Sequence, residues 1–202
     1  MITIVIVIIT VVISIAAFSR PDLMEKSKFN ANKVWYKKEY YRMFSHAFVH
    51  VGWEHLIINM IVLFSFGQVI EVYFQHYFGQ MATIYYLILY FGGILASNIY
   101  ALVKHKDDRY YNAVGASGAV SAVLFASIFF APWHKIYFFG ILPIPGIIFA
   151  VLYLAYSYYM NKKNSDNVAH DAHFLGAVFG FVFPMLLDFG LVGHFIEQLL
   201  PF

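Results

Sequence analysis

Cysteine is absent from the 202 residues, which excludes disulfides and thiolate metal sites and leaves the redox compartment unmarked. Charge is scarce too. Lys, Arg, Asp and Glu make up only 12% of the chain against 61% hydrophobic residues, which argues against a soluble globular domain. The formal net charge of +2 says little about partners, because the lysines cluster in loops, and no nucleic-acid partner is expected. There is no internal repeat and no low-complexity linker. The first apolar run lacks a basic start and a small-x-small cleavage site, so Met1–Ser19 reads as a retained helix rather than a removed signal.

What the chain does have is apolar length. Spans are expected at about 2–19, 54–74, 81–103, 115–131, 136–160 and 169–187, on the scale needed to cross a ~30 Å hydrocarbon core. The fifth is interrupted by Pro143, Pro145 and Gly146, so its regular part is expected nearer Ile147. Between the first two lies a connection of about 20–50, rich in lysine and in rings (Trp35, Tyr36, Tyr40, Tyr41, Phe44, Phe48). That composition suits a structured piece lying in the membrane interface. Asn161–Val168 reads as a short polar loop. The fold class is therefore an all-α polytopic membrane protein, one domain over residues 1–202. Most Lys and Arg follow the first, third and fifth spans, which by charge alone would put those loops in the cytoplasm and the amino terminus outside.

Polar groups inside spans are costly and default to functional hypotheses. His55 and Asn59, at i and i+4, share one face of the second span. Ser117 lies near the start of the fourth, between Gly115 and Gly118, where first-turn N–H groups lack intrahelical acceptors and carry the positive end of the helix dipole. His173 opens the sixth, on the face that Gly176 and Gly180 flatten. Gly118, Ala119 and Ala122 offer a matching small face, so the fourth and sixth spans should touch and bring His173 towards Ser117. An imidazole can take the proton of a serine hydroxyl near neutral pH, and His55, Asn59 and the Ser117 N–H could stabilise the oxyanion that follows. Against this stands the plainer reading of each feature as interhelical packing or hydrogen bonding.

These residues resemble the rhomboid intramembrane serine proteases over about Glu39 to Phe183. Gly115-Ala116-Ser117-Gly118 is similar to the family's Gly-x-Ser-Gly motif, Ala172-His173-Phe174-Leu175-Gly176 with Gly180 to its base motif, and His55-Leu56-Ile57-Ile58-Asn59 to its His-x-x-x-Asn signature. Tyr41-Arg42, followed by His46 and His50, resembles its Trp-Arg loop motif. The resemblance implies a six-helix bundle whose short fourth helix carries the nucleophile Ser117 beneath a water-filled cavity, with His173 as base and no acidic third member. His55, Asn59 and Ser117 would form the oxyanion hole. Gly115 and Gly118 would permit close approach, Arg42 would brace the first loop, and Glu71 would support that loop and the helix packing. No cofactor is implied. Partners would be single-span membrane proteins, cut within or near their transmembrane segment, and the lipid bilayer itself. The location implied is a bacterial inner membrane, with the site on the non-cytoplasmic side. That orientation opposes the lysine count; we follow the family, because a structured interfacial loop can carry lysines without setting topology. One departure concerns packing: Ser121 stands where many members place an aromatic ring against the catalytic histidine.

Three rivals share these features. Histidines 46, 50, 55, 170 and 173 could hold a metal or haem, although no His-Glu-x-x-His motif is present. A rhomboid relative could bind membrane clients without cutting them. A proton-coupled transporter would want an inverted-repeat partner, which the spans lack. For His46 and His50 the expected role is structural hydrogen bonding within the first loop, and His170 is expected to face the cavity or cap its helix.

Overall fold

The β-branched run at the amino terminus, which local preference would suit to a strand, forms a helix that satisfies its backbone donors within the segment. The computed structural model describes residues 1–138, 140–163 and 168–200. Helix α1 spans Ile2–Phe18 and turns Thr3, Thr10 and Ser14 inward. The connection that follows is ordered into short helices. They are α2 at Pro21–Ser27, α3 at Ala31–Lys37 and α4 at Arg42–Ser45, then a 3-10 turn at His46–Phe48. Pro21 at the first helical position of α2 forfeits a donor that would be unpaired anyway. The Asn30 side chain caps α3 by accepting from the Lys33 N–H at 2.8 Å.

Helix α5 runs Trp53–Phe78, turns at Gly79, and leads into α6 at Ala82–Lys104. Helix α7 covers only Ser117–Phe130. Strands β1 (Lys135–Phe138) and β2 (Leu142–Pro145) pair antiparallel, Ile136 opposite Ile144, before α8 (Gly146–Lys163), α9 (His170–Leu187) and α10 (Leu191–Leu199). By length and composition, the 53–104 stretch holding α5 and α6, and α9 on its own, could cross a membrane; α1 and α7 are apolar but shorter.

The bundle is built around α7. Every residue from Gly118 to Phe130 is buried, and α5, α6 and α9 all pack on it. Small residues set the spacing. A methyl at Gly176 would strike the Gly118 carbonyl, one at Gly180 the Ala122 carbonyl, and one at Gly93 the Ala122 methyl. The predicted contact of small faces is thus present, with α7 and α9 nearly backbone to backbone.

Some expected boundaries change. The fifth span does not begin near 136: residues 135–145 form the hairpin, and the helix starts at Gly146. Pro143 and Pro145, two apart on β2, put both missing donors on the same edge of the ribbon, where no partner strand needs them. Gly115 lies outside the fourth helix, which starts at Ser117. Helix α5 continues four residues beyond Phe74, to Phe78. Helix α10 was not foreseen; it closes the far end of the bundle, with Phe195 stacked on Phe129 at 5.2 Å and His194 Nδ1 3.1 Å from the Tyr77 hydroxyl. Of the polar loop expected at Asn161–Val168, residues 164–167 lie outside the described ones, and the residues before them still belong to α8.

Candidate active site

The approach to α7 is shaped by one glycine. Gly115 has φ +110°, a conformation that L side chains rarely adopt, and a Cβ there would collide with the His55 ring. Its N–H donates to the His46 carbonyl at 2.9 Å, and the next N–H, of Ala116, donates to His50 Nε2 at 3.4 Å. The chain then enters α7 at Ser117, whose first-turn N–H groups have no intrahelical acceptor. Because α9 lies so close, His173 Nε2 comes within 2.8 Å of Ser117 Oγ, although 56 positions separate them. Both side chains are half-buried, so the pair remains within reach of a substrate.

The other predicted residues divide. His55 is half-buried beside Gly115, and its Nδ1 has no hydrogen-bond partner among the described residues. Asn59 is buried, and its amide nitrogen donates to the His55 carbonyl at 2.9 Å, so that donor is engaged within its own helix. Gly118 meets Ser97 of α6 on one side and Gly176 of α9 on the other. Arg42 is buried in the first loop, where Nη1 donates to the carbonyls of Glu25 (2.9 Å) and Lys28 (2.8 Å) and Nε pairs with Glu39. The Arg42 guanidinium holds the Glu39 carboxyl below its ordinary range. Glu71 Oε1 accepts from the Thr3 N–H at 2.6 Å and so tethers the start of α1. Glu71 thus ties two helices together, which is the packing half of its expected role, and makes no bond to the first loop among the described residues. The cause is length: α5 carries Glu71 to the end of the bundle opposite that loop.

His46 and His50 make polar contacts with neighbouring helices. His46 Nε2 meets the Asn98 amide of α6 at 2.6 Å, and His50 Nδ1 meets Ser14 Oγ of α1 at 2.9 Å. Burial pushes the His46 imidazole down to about 4; burial, then the neighbouring His55 and His46, pushes His50 down to about 3. His170, at the start of α9, lies edge-on to His173 with ring centroids 6.0 Å apart. Among the described residues no three His, Asp or Glu side chains lie close enough to share a metal ion.

One site residue escaped the sequence. Tyr153 of α8 places its ring nearly parallel to that of His173, centroids 6.4 Å apart, and its hydroxyl lies 2.7 Å from Ser121 Oγ. The ring missing at position 121 is therefore supplied by another helix. Helix α8 carries tyrosines at 153, 156, 158 and 159, and nothing local singles out the first.

Fold and site together define a helical membrane protein with a serine–histidine pair at the mouth of its central helix. A family model described as "Rhomboid domain" matches residues 37–188, and the chain belongs to that family. Its members are membrane proteins and generally intramembrane serine proteases, with some inactive. The chain is similar to "Rhomboid-related protein 1" of Caenorhabditis elegans, 29% identical over 170 residues that cover 81% of this chain and 44% of the relative. It is also similar to "RHOMBOID-like protein 12, mitochondrial" of Arabidopsis thaliana, 27% identical over 146 residues, 65% of this chain and 41% of the relative. The chain thus spans less than half the length of these relatives. With a mitochondrial name among them, the relatives lend no support to a bacterial inner membrane in particular.

Proposed function

We propose that this chain is an intramembrane serine endopeptidase cutting single-span membrane proteins within or near their transmembrane segment. The observation that carries the reading is the 2.8 Å approach of Ser117 Oγ to His173 Nε2 beside unpaired first-turn N–H groups. His173 takes the Ser117 proton as Oγ adds to the scissile carbonyl. The resulting oxyanion is met by the Ser117 N–H and the His55 ring, each such donor typically lowering the barrier by about 3 kcal/mol. Asn59 joins them only by turning its amide away from the His55 carbonyl. His173 then protonates the leaving amine, and water, activated by the same imidazole, hydrolyses the acyl-enzyme.

On this reading residues 1–202 form one domain in which α1, α5, α6, α7, α8 and α9 are the six spans. Helix α7, about 21 Å long at the usual helical rise, is the short one. The site faces the non-cytoplasmic side. A cavity of about 820 Å³, lined largely by apolar side chains such as Ile58, Ile61, Phe66, Leu124 and Phe149, runs along the half of α7 away from Ser117 and is not lined by the Ser117–His173 pair. A folded helix hides its carbonyls, so preferred substrates carry Gly, Pro or polar residues near the cut.

A fluorophosphonate probe tests the chemistry. It should label the wild type at Ser117 and neither Ser117→Ala nor His173→Ala; no labelling of the folded wild type overturns the reading. Labelling without cleavage of any transmembrane reporter would instead favour a client-binding relative.

A further inference from the structure

The loop before the nucleophile is held by a chain of hydrogen bonds whose proton positions can be assigned. Ser14 Oγ of α1 donates to the Phe48 carbonyl at 3.0 Å, which can only accept. With its proton committed there, the Ser14 oxygen accepts from His50 Nδ1 at 2.9 Å. Nδ1 therefore carries the ring proton, and Nε2 presents a lone pair to the Ala116 N–H at 3.4 Å. The opposite tautomer, or a protonated ring, would aim an N–H at the Ala116 N–H and leave both without an acceptor in a site where Ala116 and His50 are fully enclosed.

The same ring does a second job. It stands edge-on to the His55 imidazole, centroids 4.9 Å apart at 71°, while Gly115 lies against the Cε1–Nε2 edge of the same imidazole. His55 has no hydrogen bond at Nδ1 among the described residues to fix its orientation, so its packing against the His50 ring and Gly115 must do so. The titratable groups facing His50 are His46 and His55.

We propose that Ser14 and His50 are positioning residues: α1, which contributes no group to the reaction, sets the His50 tautomer, and His50 in turn aims the Gly115–Ala116 backbone and the His55 ring at the site of charge development. This rests on the reading of Ser117 as nucleophile and His55 as an oxyanion donor. The hydroxyl at position 14 is the element that distinguishes such a relay from simple packing, because a methyl in its place keeps the helix contact and releases the tautomer.

The test uses the full chain in detergent micelles, well below its unfolding temperature. The Ser14→Ala protein should react with the fluorophosphonate five- to tenfold more slowly at Ser117 and turn over a transmembrane reporter with lower kcat and unchanged KM, while Ser14→Thr restores both. His50→Ala should lose more than tenfold, and adding Ser14→Ala to it should cost nothing further, because one chain is broken either way. Unchanged rates in Ser14→Ala, or additive losses, overturn the inference. Nitrogen-15 spectra of histidine-labelled protein give a readout independent of activity: His50 should show its proton on Nδ1, and a proton on Nε2 refutes the relay. A wild type that carries the Nδ1 proton but never labels at Ser117 keeps the hydrogen-bond chain and sinks the protease reading instead.

Discussion

The Tyr153 hydroxyl lies 2.7 Å from Ser121 Oγ, joining α8 to α7 one turn beyond Ser117, and the same tyrosine ring lies alongside His173. Each half of that arrangement can be removed separately. Tyr153→Phe keeps the ring but leaves the buried Ser121 hydroxyl without this partner, a loss of about 1 kcal/mol. Tyr153→Ala removes the half-buried ring, for which less than the roughly 3–5 kcal/mol of a fully buried aromatic truncation is expected. If the ring orients His173, the alanine variant should label slowly with the fluorophosphonate while the phenylalanine variant stays within a fewfold of wild type. Combining Tyr153→Ala with Ser121→Tyr should recover part of the rate. Equal labelling rates in all three proteins would leave the ring a packing role only.

Gly180 and Gly193 make a matched pair of helical glycines with opposite surroundings. A methyl at Gly180 would overlap the Ala122 carbonyl, whereas nothing lies within 4 Å of one at Gly193. Gly180→Ala must push α9 away from α7, at a cost of about 1–3 kcal/mol or more, and His173 moves with it. Gly193→Ala, on α10, should fall within about 1 kcal/mol of wild type and gain slightly from helix propensity. Thermal unfolding of both, with probe labelling at Ser117, checks the pair. A Gly180→Ala protein as stable and reactive as wild type would mean the two helices are not in backbone contact.

How much of this could be read from the sequence depends on the range of the interaction. Apolar length located α5, α6, α7 and α9 because long uninterrupted apolar runs are read as helices. The approach of Ser117 and His173 was legible because small residues at helical spacing on two spans prescribe which faces meet. The hairpin was not: Lys135-Ile136-Tyr137-Phe138 is as apolar as a helix start, and the pairing that makes it a strand comes from Leu142–Pro145. The Thr3 partner of Glu71 and the place of Tyr153 are not legible in the sequence for a common reason. Each is specified by where a different helix happens to pass, 68 residues away for Glu71 and Thr3, and 32 for Tyr153 and Ser121. The tie between Asn59 and the His55 carbonyl shows the opposite case, a local bond competing with the oxyanion contact proposed for that amide.

Gly115→Ala combines two penalties. The backbone sits at φ +110°, and the added methyl meets the His55 ring, which would have to leave its place. Strain of about 1–3 kcal/mol is expected, with labelling at Ser117 reduced by tenfold or more because both proposed oxyanion donors shift. Steady-state cleavage should fall mainly in kcat. A variant with wild-type kcat would show that the His55 position is immaterial to the reaction.

Arg42 is charged and buried; its Nη1 reaches back to α2 and the residue after it through two carbonyls, and its Nε pairs locally with Glu39. Arg42→Lys keeps the charge but cannot span that fork, so at least one carbonyl loses its donor. A destabilisation of roughly 2–3 kcal/mol follows from hydrogen bonds to a charged group. The damage should be local. Limited proteolysis should cut first between α2 and α4, and hydrogen exchange there should rise before exchange in α7 does. Uniform exchange across the chain would show that the loop and the bundle unfold as one unit.

Acid should loosen the same region, with a sign fixed by burial. Folded His46 titrates at about 4 and His50 at about 3, whereas in an unfolded chain both would titrate at 6.5. Between those values the unfolded chain binds protons that the folded protein refuses, so stability is complete above pH 6.5 and drains away as pH falls towards 4. At pH 5 the loss is on the order of 2 kcal/mol for each ring. Melting temperature measured from pH 7.5 to 4.5 should therefore fall on acidification, and His50→Gln, less stable at neutral pH, should show a shallower fall because one titrating ring is gone. A melting temperature that rose on acidification would mean the rings are charged in the folded state, which would also deny Ala116 its acceptor.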